Sequence, residues 1–277
     1  MVQFNADTIQ PNVYLHLDSK NCSTSISSSN KTFKLNNAIE TIGEHKIIVS
    51  LWDAIIPHSF YNITSLNNTF IYYTGLDIST QKTYTITPGY YTINQIISLI
   101  ETHLKSSDGY NDANCSVVIE DYTNKIKITV PSGSTIVIQG TGLINNILGI
   151  EEKGGASQTQ TATNVYNANP TTHLKIKLIN LQNQNLDSQG KREDTLCRIP
   201  VNNIFGNWIH FHDTGSRHNV LEQNFINQIQ VLIQDEDGND IDFNGLDWKL
   251  TLSFHFIKKR QHQFKSLREQ LNFTTEN

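Results

Sequence analysis

The 277-residue chain is long enough to bury a large core, or two modest ones, without disulfide or metal staples. Only 17% of residues are charged and 37% hydrophobic, and the formal charge of −5 with a pI near 6.0 excludes a protein-wide basic field that would attract nucleic acid. The chain opens without a basic segment leading into an apolar run, and no stretch approaches the ~18 apolar residues of a membrane span, so neither export nor a membrane span is expected. Cys22, Cys115 and Cys197 stand far apart with no CxxC pair, which reads as three reduced thiols rather than a disulfide framework or zinc knuckle.

The composition favours sheet over helix: 34 Ile and 27 Thr stand against 7 Ala, and β-branched side chains suit a pleated surface. In chain order, β-branched and aromatic runs bounded by Gly, Pro, Asn or Asp predict strands at 13–17, 32–35, 46–56, 70–73, 83–87, 116–120, 125–130 and 135–138. The series resumes at 174–180, 196–201, 208–212, 228–234 and 240–243 and closes at 248–257. Strict alternation in Lys125-Ile126-Lys127-Ile128 and in Leu174-Lys175-Ile176-Lys177-Leu178 implies antiparallel sheets with one wet face. Long connections between runs favour a sandwich.

Two segments carry helical spacing. Residues 92–104 follow the Pro88-Gly89 turn with Ile93, Ile96, Ile97 and Ile100 on one face, and Thr92 with Gln95 forms a capping-box pattern. Residues 142–148 place Leu143, Ile144, Ile147 and Leu148 together, with Gly149 as the stop. Both helices fall between about 75 and 150, so an α+β module inserted in a β framework is expected. Residues 151–163 and 182–194 are polar and aperiodic and read as a linker and a surface loop. The expected sandwich core includes Trp52, Ile55, Leu178, Ile199, Ile229, Val231, Leu250 and Leu252.

Chemistry-bearing motifs are few. His210 and His212, two apart on a predicted strand, share a face and could chelate a metal, as in a cupin. The cupin pattern fails around them: only three residues separate Gly206 from His210, Ser216 and Arg217 occupy the glutamate positions, and Glu222 is too distant. No metal or other cofactor is therefore expected, and the pair reads as two histidines on a wet face. The acidic run from Asp235 to Asp240 lacks EF-hand spacing and reads as a hairpin turn with Gly238 at a positive-φ position. Neither a GxSxG elbow, a P-loop, a GxGxxG turn nor an HExxH helix occurs, so no catalytic residue is assigned. The C-terminal tail, 258–277, concentrates Lys258, Lys259, Arg260, Lys265 and Arg268 with Phe264, Leu267 and Leu271 as apolar anchors, and is a candidate arm onto a neighbouring subunit or acidic surface.

The order of the pieces resembles the penton, or minor capsid, proteins of virophages and Polinton-like viruses. The likeness runs through Phe33-Lys34-Leu35-Asn36-Asn37-Ala38-Ile39, the strand 46–56, the aromatic-Asn turn Phe60-Tyr61-Asn62-Ile63 and the helix-opening Pro88-Gly89-Tyr90-Tyr91. It continues through Ile147-Leu148-Gly149-Ile150, Arg198-Ile199-Pro200-Val201, the Asp237-Gly238 turn and the closing strand. The resemblance implies a mostly β protein, a single jelly-roll β-sandwich with an inserted α+β domain, divided as 1–74 and 165–257 for the jelly roll, 75–164 for the insertion and 258–277 for the tail. It also implies a structural role without enzymatic activity: a homopentamer at the vertices of an icosahedral virion, contacting a major double-jelly-roll capsid protein and assembled in the host cytoplasm or a viral factory. Nucleic acid is not expected as a partner except through the tail. Two other readings stay open, a glycan-binding β-sandwich using Tyr72, Tyr73, Tyr90, Tyr91 and Tyr110, and a jelly-roll (cupin-like) enzyme.

Overall fold

The structure is a computed structural model that describes residues 12–41, 45–74, 81–107, 110, 114–138, 144–150, 156–181, 194–213 and 218–258. The tail residues Lys259, Arg260, Phe264, Lys265, Leu267 and Arg268 lie outside the described residues, as does most of the polar loop 182–194, whereas Lys258 ends the last strand. The chain is mostly β and folds as a jelly-roll-like β-sandwich of antiparallel sheets, as its composition indicates.

Among the described residues, β1 (Val13–Asp18), β2 (Thr24–Ser25), β3 (Asn30–Glu40) and β4 (His45–Pro57) precede the insertion. Within the insertion lie β5 (Thr69–Thr74), β6 (Gln81–Thr85), α1 (Ile93–Ser107), β7 (Ser116–Ile119), β8 (Ile126–Thr129), β9 (Ile136–Ile138), α2 (Asn145–Leu148) and β10 (Thr159–Thr161). The chain then returns through β11 (His173–Leu178), β12 (Thr195–Pro200), β13 (Trp208–His212), β14 (Asn219–Val220), β15 (Phe225–Gln234) and β16 (Lys249–Lys258).

One sheet of the sandwich has the order β1-β16-β4-β13, with β14 also on β4; the other runs β12-β11-β15-β3-β2. Alternation drives the layering. Leu250, Leu252 and Phe254 point inward to meet Ile229, Val231 and Ile233 of the facing sheet, while Thr251, Ser253 and His255 fall on the opposite face of β16. Trp248 is wholly buried where the sheets meet, donates its indole N–H to Ser28 O at 3.0 Å and packs edge-on against Phe33. A second cluster belongs to the insertion. There Ile96, Ile100 and Leu104 of α1 pack with Phe70, Tyr72, Val117, Ile126, Ile128 and Ile147.

The helix start follows the expected chemistry, since Gln95 N–H donates to Thr92 Oγ1 and Thr92 N–H donates to Gln95 Oε1. Farther along α1, Glu101 accepts from the N–H of Val117 on β7, the edge strand of the β10-β8-β7 sheet. Burial alone would raise the Glu101 pKa, but the hydrogen bonds from Lys105 and from this backbone N–H prevail and hold it low.

Several expectations are corrected. Trp52 and Ile55 are half-buried and lie outside the core: Trp52 alternates outward after Leu51, and a bulge in β4, where Thr251 of β16 pairs with Asp53 and Leu252 with Leu51, reverses the alternation so that Ile55 turns outward too. Ile47, Val49 and Leu51 point inward before the bulge, and Ala54 and Ile56 after it. Residues 240–243 form only an isolated bridge at Asp240; beyond it Phe243 N–H donates to Ser28 Oγ, which itself donates to Ile241 O, so a side chain takes the place of a strand. Thr159–Thr161, read as linker, pairs with β8 as an added strand. Phe70 and Tyr72, assigned to the first jelly-roll segment, pack in the second cluster.

Candidate functional site

Among the described residues, side chains converge at the joint where the chain passes between the two clusters and on the outer face of the β1-β16-β4-β13 sheet.

At the joint, the motifs Phe60-Tyr61-Asn62-Ile63 and Pro88-Gly89-Tyr90-Tyr91 meet. Ile63 and Gly89 exchange backbone hydrogen bonds of 3.1 and 2.9 Å. Buried Asn62 uses both ends of its amide: Nδ2 donates to Tyr91 O (2.7 Å) and Ala168 O (2.8 Å), while Oδ1 accepts from Tyr91 N–H (2.9 Å). One side chain thereby ties the outgoing segment, the turn before α1 and the returning segment. The Tyr90 ring stacks on Phe205 at 4.2 Å, and its hydroxyl donates to Asn169 Oδ1. His58 lies buried among Phe60, Tyr90 and Phe205, and its Nδ1 sits 2.7 Å from Asn203 O. The Ile147-Leu148-Gly149-Ile150 motif serves the same return: Gly149 O accepts from Asn164 N–H and Ile147 O from Asn167 N–H.

Burial pushes the His58 pKa below the ordinary imidazole value, against the opposing pull of the Asn203 and Ile204 backbone hydrogen bonds. The same direction holds for His255, through burial and the nearby His218. The unfolded chain therefore binds the extra protons, and stability from these groups is present above pH ~6.5 and is lost as pH falls through their lowered folded values. Thermal midpoints measured from pH 7.5 to 5 should drop on the acid side, and His58→Gln should flatten that slope; a variant slope equal to the parent's would remove His58 from the account.

On the outer sheet face, His16, Thr251, Asp53 and His212 form a row of successive cross-strand partners over four strands. Nδ1 of His16 shares a 3.0 Å hydrogen bond with Thr251 Oγ1, and His212 Nδ1 lies 4.0 Å from Asp53 Oδ1. The bulge puts Asp53 on the same face as Trp52, and Trp52 stands edge-to-face between Tyr14 (5.5 Å) and His212 (5.0 Å). These six side chains surround an open hollow of about 440 Å³.

His210 and His212 are both exposed and share the wet face, as their spacing indicates. Among the described residues no group of three or more His, Cys, Asp or Glu is placed to hold a metal ion. The acidic run is a turn: Asp235 Oδ1 accepts from Asp237 N–H and Asn239 N–H, Oδ2 accepts from the Asn239 amide, and Gly238 has φ of +89°. The five tyrosines considered for sugar stacking do not form a platform. Tyr72 and Tyr110 are buried in the insertion core and Tyr90 is covered by Phe205. Sequence reasoning missed His16, Asp53, Thr251, Phe205 and Asn169, whose partners lie far away in the chain; the only local signal was the clean alternation of Tyr14 and His16 on β1.

No curated protein matches the chain by sequence. Its fold is similar to that of the mavirus penton protein, known from a crystal structure, with 12% identity, a TM-score of 0.53, and coverage of 89% of this chain and 100% of that one. Residues 47–214, from β4 through β13 and so including the whole insertion, match a family of unknown function (DUF5901), and the chain belongs to that family.

Proposed function

We propose that this chain is a structural capsid protein, not an enzyme, that forms the pentameric vertex of an icosahedral viral shell. The observation that carries the reading is the fold shared with the mavirus penton protein over 89% of this chain and that protein's entire length. Five copies close a ring through head-to-tail contacts, as cyclic symmetry above two requires. The ring sits in the virion among a major double-jelly-roll capsid protein and assembles in the host cytoplasm or a viral factory. The proposal includes two folding units. The sandwich comprises the segments before Asn62 and after about residue 168, and the insertion extends beyond the 75–164 read from the sequence, since β5 and Tyr166 pack in the second cluster.

The basic tail, with Lys258, Lys259, Arg260, Phe264, Lys265, Leu267 and Arg268, is the arm that contacts the neighbouring shell subunit; exposed ionic contacts of this kind weaken with salt. Native mass spectrometry at high micromolar concentration should show a fivefold species with interfaces above ~1,000 Å² each. Only monomer and dimer, both alone and with major capsid protein added, would defeat the vertex reading. Truncation after Ile257 should leave the sandwich folded and lower incorporation into shells; equal incorporation would reduce the tail to a passive terminus.

A further inference from the structure

The hollow on the outer sheet face shares no lining residue with the joint. Its walls are Tyr14, His16, Trp52, Asp53, His212 and Thr251. Among the described residues, the Tyr14 hydroxyl, the Trp52 indole N–H and Nε2 of both histidines have no hydrogen-bond partner, and the Asp53 carboxylate has only the 4.0 Å approach of His212. Tyr14 is 46% exposed, and the side chains of Asp53 and His212 are 42% and 56% exposed, so these groups face the hollow ready to bond. All six project from paired strands, which hold them at fixed spacing, and the β4 bulge is what brings Trp52 and Asp53 to the same face.

We infer that this hollow is a binding site for a neutral pyranose sugar. The donor and acceptor set matches the ligand. Adjacent ring hydroxyls each donate and accept; a carboxylate accepts from two at once, an indole N–H only donates, and imidazoles and a phenol do either. The apolar C–H face of a pyranose packs on aromatic rings, and Trp52 and Tyr14 supply them alongside the polar row. A volume of about 440 Å³ lies within the range of small-ligand sites and holds one or two sugar rings. Charge selects within the class: Asp53 is the only Asp, Glu, Lys or Arg among the six, so it repels carboxylate-bearing sugars. An extended peptide is a poorer occupant, because the floor is formed by β16 and β4, whose backbone groups are already paired on both sides.

The inference does not depend on the vertex reading, and its test does not read oligomeric state. Full-length protein is titrated with lactose, chitobiose and methyl α-mannoside, with glucuronate as the acidic control, by saturation-transfer NMR and calorimetry. At least one neutral sugar should bind with Kd on the order of 1 mM, and Asp53→Asn and Trp52→Phe should each weaken it by at least about tenfold while circular dichroism stays unchanged. No saturation transfer from any neutral sugar at about 20 mM would overturn the assignment. So would binding that survives both substitutions, or glucuronate binding as tightly as the neutral sugars.

Discussion

Gly149→Ala is expected to unfold the insertion while sparing the sandwich. Gly149 closes α2 with φ of +69°, in the left-handed region, where a Cβ crowds the following carbonyl and costs about 1–2 kcal/mol. The larger effect is contact. A Cβ there would lie 2.5 Å from Asn164 O and 2.6 Å from Val165 O, and both obstacles are backbone that cannot rotate away. Asn164 is itself bonded to Gly149 O, so relief means giving up that bond as the chain leaves the insertion. The combined cost is roughly 3–5 kcal/mol, among the larger single-residue effects. Calorimetry should resolve an early transition for the insertion, lowered by about 10 °C or more, ahead of a nearly unchanged transition for the sandwich. A single transition at the parental temperature would show that the return segment yields.

Asn62→Asp should be worse than Asn62→Ala, although the aspartate nearly preserves shape. Alanine removes three hydrogen bonds, each worth about 1 kcal/mol net, and strands two carbonyls and an N–H at a buried joint, for a total of about 2–4 kcal/mol. Aspartate keeps the acceptor for Tyr91 N–H but turns the donating end into an oxygen facing Tyr91 O and Ala168 O. The buried carboxyl relieves this only by taking up a proton, so its folded pKa lies above its unfolded one. The folded state then binds the extra proton, and stability falls as pH rises through that range. Relative to the parent at each pH, Asn62→Asp should recover between pH 7 and 5, whereas Asn62→Ala should show no such trend. Identical urea midpoints for the two variants at pH 7 would mean that Asn62 acts by packing alone.

The elements were largely legible in the sequence because alternation and capping are local. Lys125 to Ile128 and Leu174 to Leu178 alternate in the sequence and in burial, and Thr92 with Gln95 forms the capping box that its spacing announces. What escaped depends on partners remote in the chain. Ile55 keeps step with the inward Ile47, Val49 and Leu51 until the bulge opposite Thr251 and Leu252, almost two hundred positions later in the chain, turns it outward. Residues 240–243 alternate like a strand, but the hydroxyl of Ser28 bonds this segment first. For the outer face, the sequence showed that His210 and His212 share a side; it could not show that His16 and Asp53 complete the row, since that follows from strand order.

The tie made by Asn62 also bears on how such a chain can change over generations. A single side chain reaches both the exit and the return segments, so the two ends of the insertion are neighbours in space although about a hundred residues separate them in the chain. A module attached this way is exchangeable. It carries its own core, and its two ends lie side by side, since Asn62 Nδ2 donates to Ala168 O. Lineages can therefore lengthen, replace or delete what the sandwich displays without disturbing the sheets beneath it, and a designer can graft a foreign domain between the same two anchor points.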